Sequence, residues 1–135
     1  MVRRAVCLAV LLLLLLPTHA AALDALEQRA VDLTNATRVR NGLHELVVGA
    51  RLTRYAERHA HEMAEQRRLF HSALRIPGYR SLGEIVGEGS TVRSVHRAFL
   101  RSPEHRRIML GTWRRIGVGV ARAGGLVYVV EIFAR

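Results

Sequence analysis

Residues 81–109 read SLGEIVGEGSTVRSVHRAFLRSPEHRRIM, and the fold expected for the whole chain follows from this stretch. Gly83, Gly87 and Gly89 punctuate a short run that carries Glu84 and Glu88, and glycines at this spacing let one backbone approach another closely. The run reads as a glycine-rich acidic loop. Ser90 or Thr91 caps the helix that follows, whose Val92, Val95 and Phe99 recur on one face. Ser102 caps a second short helix, with Pro103 at the first position, where its missing N–H is harmless. Glu104 lies in that first turn, where a carboxylate complements the helix dipole. His105 comes next, on a segment whose geometry is fixed by three separate devices.

Downstream, Ile116, Val118 and Val120 alternate with small residues, Gly124-Gly125 supplies a turn, and residues 126–133 are rich in β-formers. This predicts an antiparallel hairpin, with Gly117 and Gly119 leaving room for a helix on one face. Upstream, Phe70-His71-Ser72 and a loop over residues 73–82, marked by Pro77-Gly78, lead into Gly83-Glu84. A helix over about 50–68 precedes them, with Leu52, Ala56, Ala60 and Met63 as its buried stripe, flanked by Tyr55 and His59. His59 and His61 are two apart and point to different helix sides, so they cannot share a metal, and no His-Glu-x-x-His motif is formed. A first helix covers 24–41, with Asp24 as cap, Asn41-Gly42 as stop, and Leu26, Ala30, Leu33 and Thr37 on one face. Leu43 and Leu46 begin an irregular connection. The expected fold is α+β: a small α-β-α sandwich in which about four helices pack an antiparallel sheet with a C-terminal hairpin.

The N-terminal segment, 1–22, reads as a signal peptide. Arg3 and Arg4 precede an unbroken apolar run from Ala5 to Leu16, Pro17 breaks it, and Ala20-Ala21-Ala22 offers a cleavage site. The run is shorter than the roughly 20 apolar residues a membrane span needs, so no transmembrane span is expected after cleavage. The domain is then 23–135, secreted or in the cell envelope. Cys7, the one cysteine, leaves with the signal, so the domain folds without a disulfide.

All 21 basic residues are arginine, against 11 acidic ones. The formal net charge is +10, or +8 once Arg3 and Arg4 are removed. The arginines are scattered along every segment, without a basic tail or interleaved aromatics, which excludes a specific nucleic-acid interface and reads as a solvated cationic surface. Such a surface adheres weakly to anionic envelope polymers.

Several stretches carry a resemblance. Gly83-Glu-Ile-Val resembles the Gly-Glu-Asn-hydrophobic element of the CAP superfamily (cysteine-rich secretory proteins, antigen 5, pathogenesis-related group one). Phe99-Leu-Arg-Ser-Pro-Glu-His-Arg-Arg-Ile-Met is similar to the Ser-Pro-x-His-Arg segment of its bacterial, disulfide-free SCP-like branch. Leu33 to Leu43, His59-Ala-His-Glu-Met-Ala, Phe70-His-Ser, Ile116-Gly-Val-Gly and Tyr128-Val-Val-Glu-Ile-Phe also resemble family segments. The resemblance covers nearly everything after residue 25. It implies the CAP fold and a bacterial origin, and it makes Asn35 and Arg38 structural ties between the first helix and the loop after it.

The resemblance also implies a cleft of His71, Glu84 and His105, with a divalent cation such as zinc as a candidate cofactor held by the same three residues. Neutral imidazoles with a carboxylate suit zinc, and three protein ligands leave a position open. The family's second cleft glutamate has no motif match; Glu88 and Glu104 are available. Ile85 replaces the usual asparagine and removes a polar group that could orient Glu84. The plainer reading has both histidines pinning loop to helix through hydrogen bonds. Ser72 and Ser102 adjoin histidines, but Ser102 is explained as a cap, and no Gly-x-Ser-x-Gly motif occurs. Two functions follow: an envelope or extracellular binding module taking lipid, wall fragments or anionic polymers, or a metal-assisted hydrolase with Glu84 as base.

Overall fold

The structure is a computed structural model and describes residues 23–135; the expected signal peptide and Cys7 lie outside the described residues. Helix α1 (Ala25–Arg40) is followed by strand β1 (Val47–Val48), α2 (Ala50–Gln66), β2 (Leu82–Gly89), α3 (Val92–Arg101), α4 (Pro103–Met109), β3 (Arg115–Ala123) and β4 (Leu126–Ala134). The sheet order is β1-β3-β4-β2. Strands β2, β3 and β4 run antiparallel, and β1 joins β3 in parallel, so the sheet is mixed. Among the described residues no helix is long and apolar enough to cross a membrane.

Local chemistry sets the element ends. Asp24 and Glu27 form a reciprocal capping box on α1, and Thr91 with Ser94 forms one on α3. Ser102 caps α4 with Pro103 at the first position. Gly124 and Gly125, at φ of 57° and 78°, make the two-residue turn between β3 and β4.

The run Gly83–Gly89, expected as a loop, is a strand paired with β4 along its length, Glu84 opposite Ile132 and Gly87 opposite Val129. Its alternation is hidden because three of the four residues on one face, Gly83, Gly87 and Gly89, are glycine. Those glycines face α3 and α4: a Cβ on Gly87 would lie 2.8 Å from Phe99 and Val95, and one on Gly83 2.9 Å from Trp113. The connection after α1 likewise contains β1. Two exposed valines carry no periodicity, and only backbone bonding to Arg114 and Ile116 of the neighbouring segment makes them a strand.

Two helical layers cover the sheet. On one side Leu52, Ala56, Ala60 and Met63 of α2, all fully buried, meet Val86, Tyr128, Val130 and Ile132. On the other, α1, α3 and α4 bring Ala30, Val31, Val95, Phe99 and Met109 against Ile85, Ile116, Val118, Val129 and Phe133. α2 lies so close to β3 that a Cβ on Gly117 or Gly119 would reach 2.2 Å from the backbone of Leu52 or Ala56. The buried side of α1 is rotated from the expected face. Thr34, Arg38 and Glu27 are buried while Leu26 and Leu33 are only half-buried, because polar side chains of α1 find partners inside.

Candidate functional site

Strand β2 is at the sheet edge, and side chains alternate along it. Ile85 therefore points into the α3 layer, fully buried, while Glu84 points to the α2 side, where the loop after α2 passes. That loop is fixed at its start. Arg67 ends α2 in a left-handed conformation (φ 48°), and the imidazole of His59 lies 2.7 Å from the carbonyl oxygen of Phe70, its ring edge-on to the Phe70 ring at 5.0 Å. His71 and Ser72 follow and close on Glu84.

Both oxygens of the Glu84 carboxylate are engaged. His71 Nδ1 lies 3.0 Å and the Ser72 backbone N–H 2.9 Å from Oε1, and the Ser72 hydroxyl donates to Oε2 at 2.6 Å. Hydrogen bonds to an ionised carboxylate are the strong kind, and three of them fix its orientation. Ser72 thus supplies the support that an asparagine at position 85 was expected to give. Ile85 could not have supplied it, because it faces the opposite side of the sheet. The Glu84 side chain is 4% exposed, whereas His71 is 62% exposed. The imidazole is one edge of the site and the carboxylate its floor.

His105 stands nearby on α4, its ring against Phe99 at 5.2 Å and an interplanar angle of 61°. Burial depresses its pKa, the neighbouring Glu104 acts in the opposite sense, and the charge of His71 depresses it further. The two histidines thus feel each other electrostatically without a shared hydrogen bond among the described residues. Ser102 receives the His105 backbone N–H at 3.5 Å, as a cap. Glu88 lies in register with Tyr128, and Glu104 adjoins His105; neither hydrogen-bonds to His71 or Glu84 among the described residues.

Of His71, Glu84 and His105, the structure joins the first two by a hydrogen bond. Among the described residues no three His, Cys, Asp or Glu side chains are grouped to hold an ion. His71 Nδ1 and both Glu84 oxygens serve each other and Ser72.

Asn35 and Arg38 do tie α1 to its neighbours. Asn35 exchanges two hydrogen bonds with the Leu46 backbone, at 2.8 and 3.1 Å. Arg38 donates to the carbonyls of His44, Met109 and Gly111 at 3.1, 2.7 and 2.9 Å. A family model for CAP, the cysteine-rich secretory protein family, matches residues 31–133. The chain belongs to the CAP family.

Other proteins set this CAP domain in context. It is 27% identical to the protein YkwD of Bacillus subtilis (strain 168), over 78% of this chain and 46% of that protein, so it spans about half the relative's length. The fold is that of an outer surface protein from Borrelia burgdorferi (TM-score 0.72, 18% identity, covering 80% of this chain and 90% of that one). An extracellular SCP-domain protein from Bacillus anthracis str. Ames superposes with a TM-score of 0.71 at 23% identity, covering 81% of this CAP domain and 40% of that chain.

Two buried titratable groups of the CAP domain carry no signal in the sequence pattern. Glu131 of β4, 1% exposed, accepts from the Thr34 hydroxyl at 2.9 and 3.1 Å, and burial pushes its pKa up to about 8. His96 of α3 lies 3.0 Å from the Thr37 hydroxyl, with its Nδ1 unpartnered, and burial lowers its pKa to about 4. Both belong to the layer between the sheet and α1 and α3. Neither reaches the Glu84 site through a hydrogen bond among the described residues.

Proposed function

We propose that this is an exported binding module of the cell envelope or extracellular space. The observation that carries this reading is the state of Glu84. Its carboxylate is buried, with the side chain 4% exposed, and is oriented by three donors from residues 71 and 72, which holds it as a fixed anion under the imidazole. The exposed part of the site is the His71 imidazole, whose Nε2 has no partner among the described residues, with His105 close behind. A rigid imidazole edge over a fixed carboxylate is suited to recognising polar groups of a wall fragment. The extracellular and outer-surface relatives support export, as do the Arg3-Arg4 and apolar-run features of the N-terminal segment. The metal-assisted hydrolase reading has no such support in the contacts of Glu84.

The test is retention of the purified protein on isolated envelope fragments, compared for wild type, His71→Ala and His105→Ala. Binding by wild type that both variants lose is expected. Release of soluble fragments or new amino termini from the same material would overturn the reading in favour of a hydrolase.

A further inference from the structure

A cleft of about 720 Å³ is lined by Arg80, Ser81, Thr112, Arg114 and Arg135, none of them a residue of the His71–Glu84 site. Three separate segments build it: the loop entering β2, the connection from α4 to β3, and the end of β4. Backbone bonds clamp them together. Arg80 and Ser81 donate to the Arg135 carbonyl at 2.8 and 3.3 Å, Arg135 donates to the Ser81 carbonyl at 3.2 Å, and Arg114 donates to the Ala134 carbonyl at 3.0 Å. The Arg135 guanidinium crosses the cleft, with Nε 3.3 Å from the Ser81 hydroxyl and Nη1 3.0 Å from that of Thr112.

No Asp or Glu side chain lines the cleft. Among the described residues the ion pairs within 4.0 Å are His59–Glu62 and His71–Glu84, so none of these three arginines is paired with a carboxylate. The Arg80 and Arg114 side chains make no hydrogen bond to another described residue. Three like charges held at one cavity repel one another, and an anion relieves that repulsion. Arginines carried on three separate segments suit a tetrahedral oxyanion, whose oxygens accept from several directions, better than a planar carboxylate, which takes donors in its plane. The volume exceeds what a bare ion fills. The cleft adjoins a second one, of about 350 Å³, that shares Thr112 and Arg114 and adds Trp113 as an aromatic wall. Trp113 is itself fixed, its indole N–H donating to the Ile108 carbonyl at 2.7 Å.

We propose that this cleft is a binding site for a phosphate group carried on a soluble polyol or sugar chain. The guanidiniums take the phosphate, the two hydroxyls help orient it, and the chain lies along Trp113. A membrane surface fits less well, because the exposed large apolar residues, Val39, Val47, Val48 and Leu69, do not line the cleft. The site stands on its own geometry and rests on the binding-module reading only for where its ligand is met.

The experiment is a calorimetric titration of the purified protein at about 0.15 M salt, where long-range attraction is screened beyond about 8 Å. The probes are a short poly(glycerol phosphate) chain, inorganic phosphate and phosphatidylglycerol vesicles. The variants are R80Q/R114Q and, removing equal charge from the exposed face of α3, R93Q/R97Q. Arg80 and Arg114 are exposed and make no side-chain hydrogen bond among the described residues, so the first variant folds. The expected result is that the polymer binds, that R80Q/R114Q weakens it by about tenfold or more, and that R93Q/R97Q changes it by less than about twofold. Equal weakening by both variants would reduce the site to general charge attraction and overturn the proposal. So would binding of the vesicles but not the polymer, or of inorganic phosphate as tightly as the polymer. His71→Ala leaves this titration unchanged, so the present proposal and the proposed function fail separately.

Discussion

The hydroxyl of Thr34 straddles the carboxylate of Glu131, 3.1 Å from one oxygen and 2.9 Å from the other, in the middle of the layer between α1 and the sheet. A single neutral donor does not offset the burial of a charge, so Glu131 is protonated when folded at neutral pH, its pKa pushed up to about 8 from an ordinary 4.5. Between those values the folded state holds a proton that the unfolded chain has released, and stability falls as pH rises. His96 works in the opposite sense. Burial, with the charge of Arg40 adding to it, takes its pKa from 6.5 to about 4, so between these values the unfolded chain holds the extra proton and stability rises with pH.

Together these two groups cancel between about pH 4.5 and 6.5 and leave an alkaline fall from about 6.5 to 8. Denaturant unfolding across that range is expected to show a loss of roughly 1.4 kcal/mol per pH unit. Glu131→Gln keeps the shape and removes the fall. A wild-type slope that Glu131→Gln leaves intact would show that Glu131 is ionised in the folded state.

Replacing His96 by Gln gives a separate signature. With the opposing group gone, the decline due to Glu131 should begin near pH 4.5 instead of near 6.5. The midpoint of urea unfolding followed from pH 4 to 8 reports the change directly.

Close approach of α2 to β3 makes Gly117 and Gly119 intolerant of a methyl group. The added Cβ would meet helix backbone at 2.2 Å, and backbone cannot swing aside like a side chain. Gly117→Ala is expected to destabilise by about 3 kcal/mol, at the upper end of the overpacking range. Gly125→Ala is the contrast. Nothing lies within 4 Å there, and only its positive φ opposes the substitution.

At the Glu84 site, Ser72→Ala removes the 2.6 Å hydroxyl bond and leaves a buried carboxylate oxygen without it, costing ~1–3 kcal/mol. His71→Ala should cost less, because the ring is largely exposed and the Ser72 bonds remain. Thermal midpoints rank the two, and the reverse order would mean that His71 is the chief support of Glu84. Zinc added to wild type should leave the midpoint unchanged, since stabilisation by a ligand needs a site in the folded state.

Arg38 carries a different kind of load. Its guanidinium donates to three carbonyls from two loops, and Arg38→Lys presents a point charge where a planar fork is needed. A loss of about 2 kcal/mol is expected for the lysine variant in urea unfolding, little better than Arg38→Met.

Residues 81–109, the alternation in 116–133 and the stripe Leu52, Ala56, Ala60, Met63 were enough to predict a helix–sheet–helix sandwich. Caps, turn glycines and apolar periodicity are local signals, each read within a few residues. The pairing of His71 with Glu84 was also legible, through the resemblance of their motifs. Tertiary structure decided the rest. It made Gly83–Gly89 a strand, because pairing with β4 and pressure from α3 are contacts with distant segments. It buried Thr34 and Arg38 where sequence spacing favoured Leu33, because Glu131 and the loop carbonyls offered partners nearly 100 and about 70 residues away. It turned Ile85 from Glu84 and gave the orienting role to Ser72, since successive side chains on a strand take opposite faces. The arginines show the same division. Composition sets how many cations the chain carries, but three of them share one cleft that no Asp or Glu side chain lines only because the ends of β2, β3 and β4 meet there.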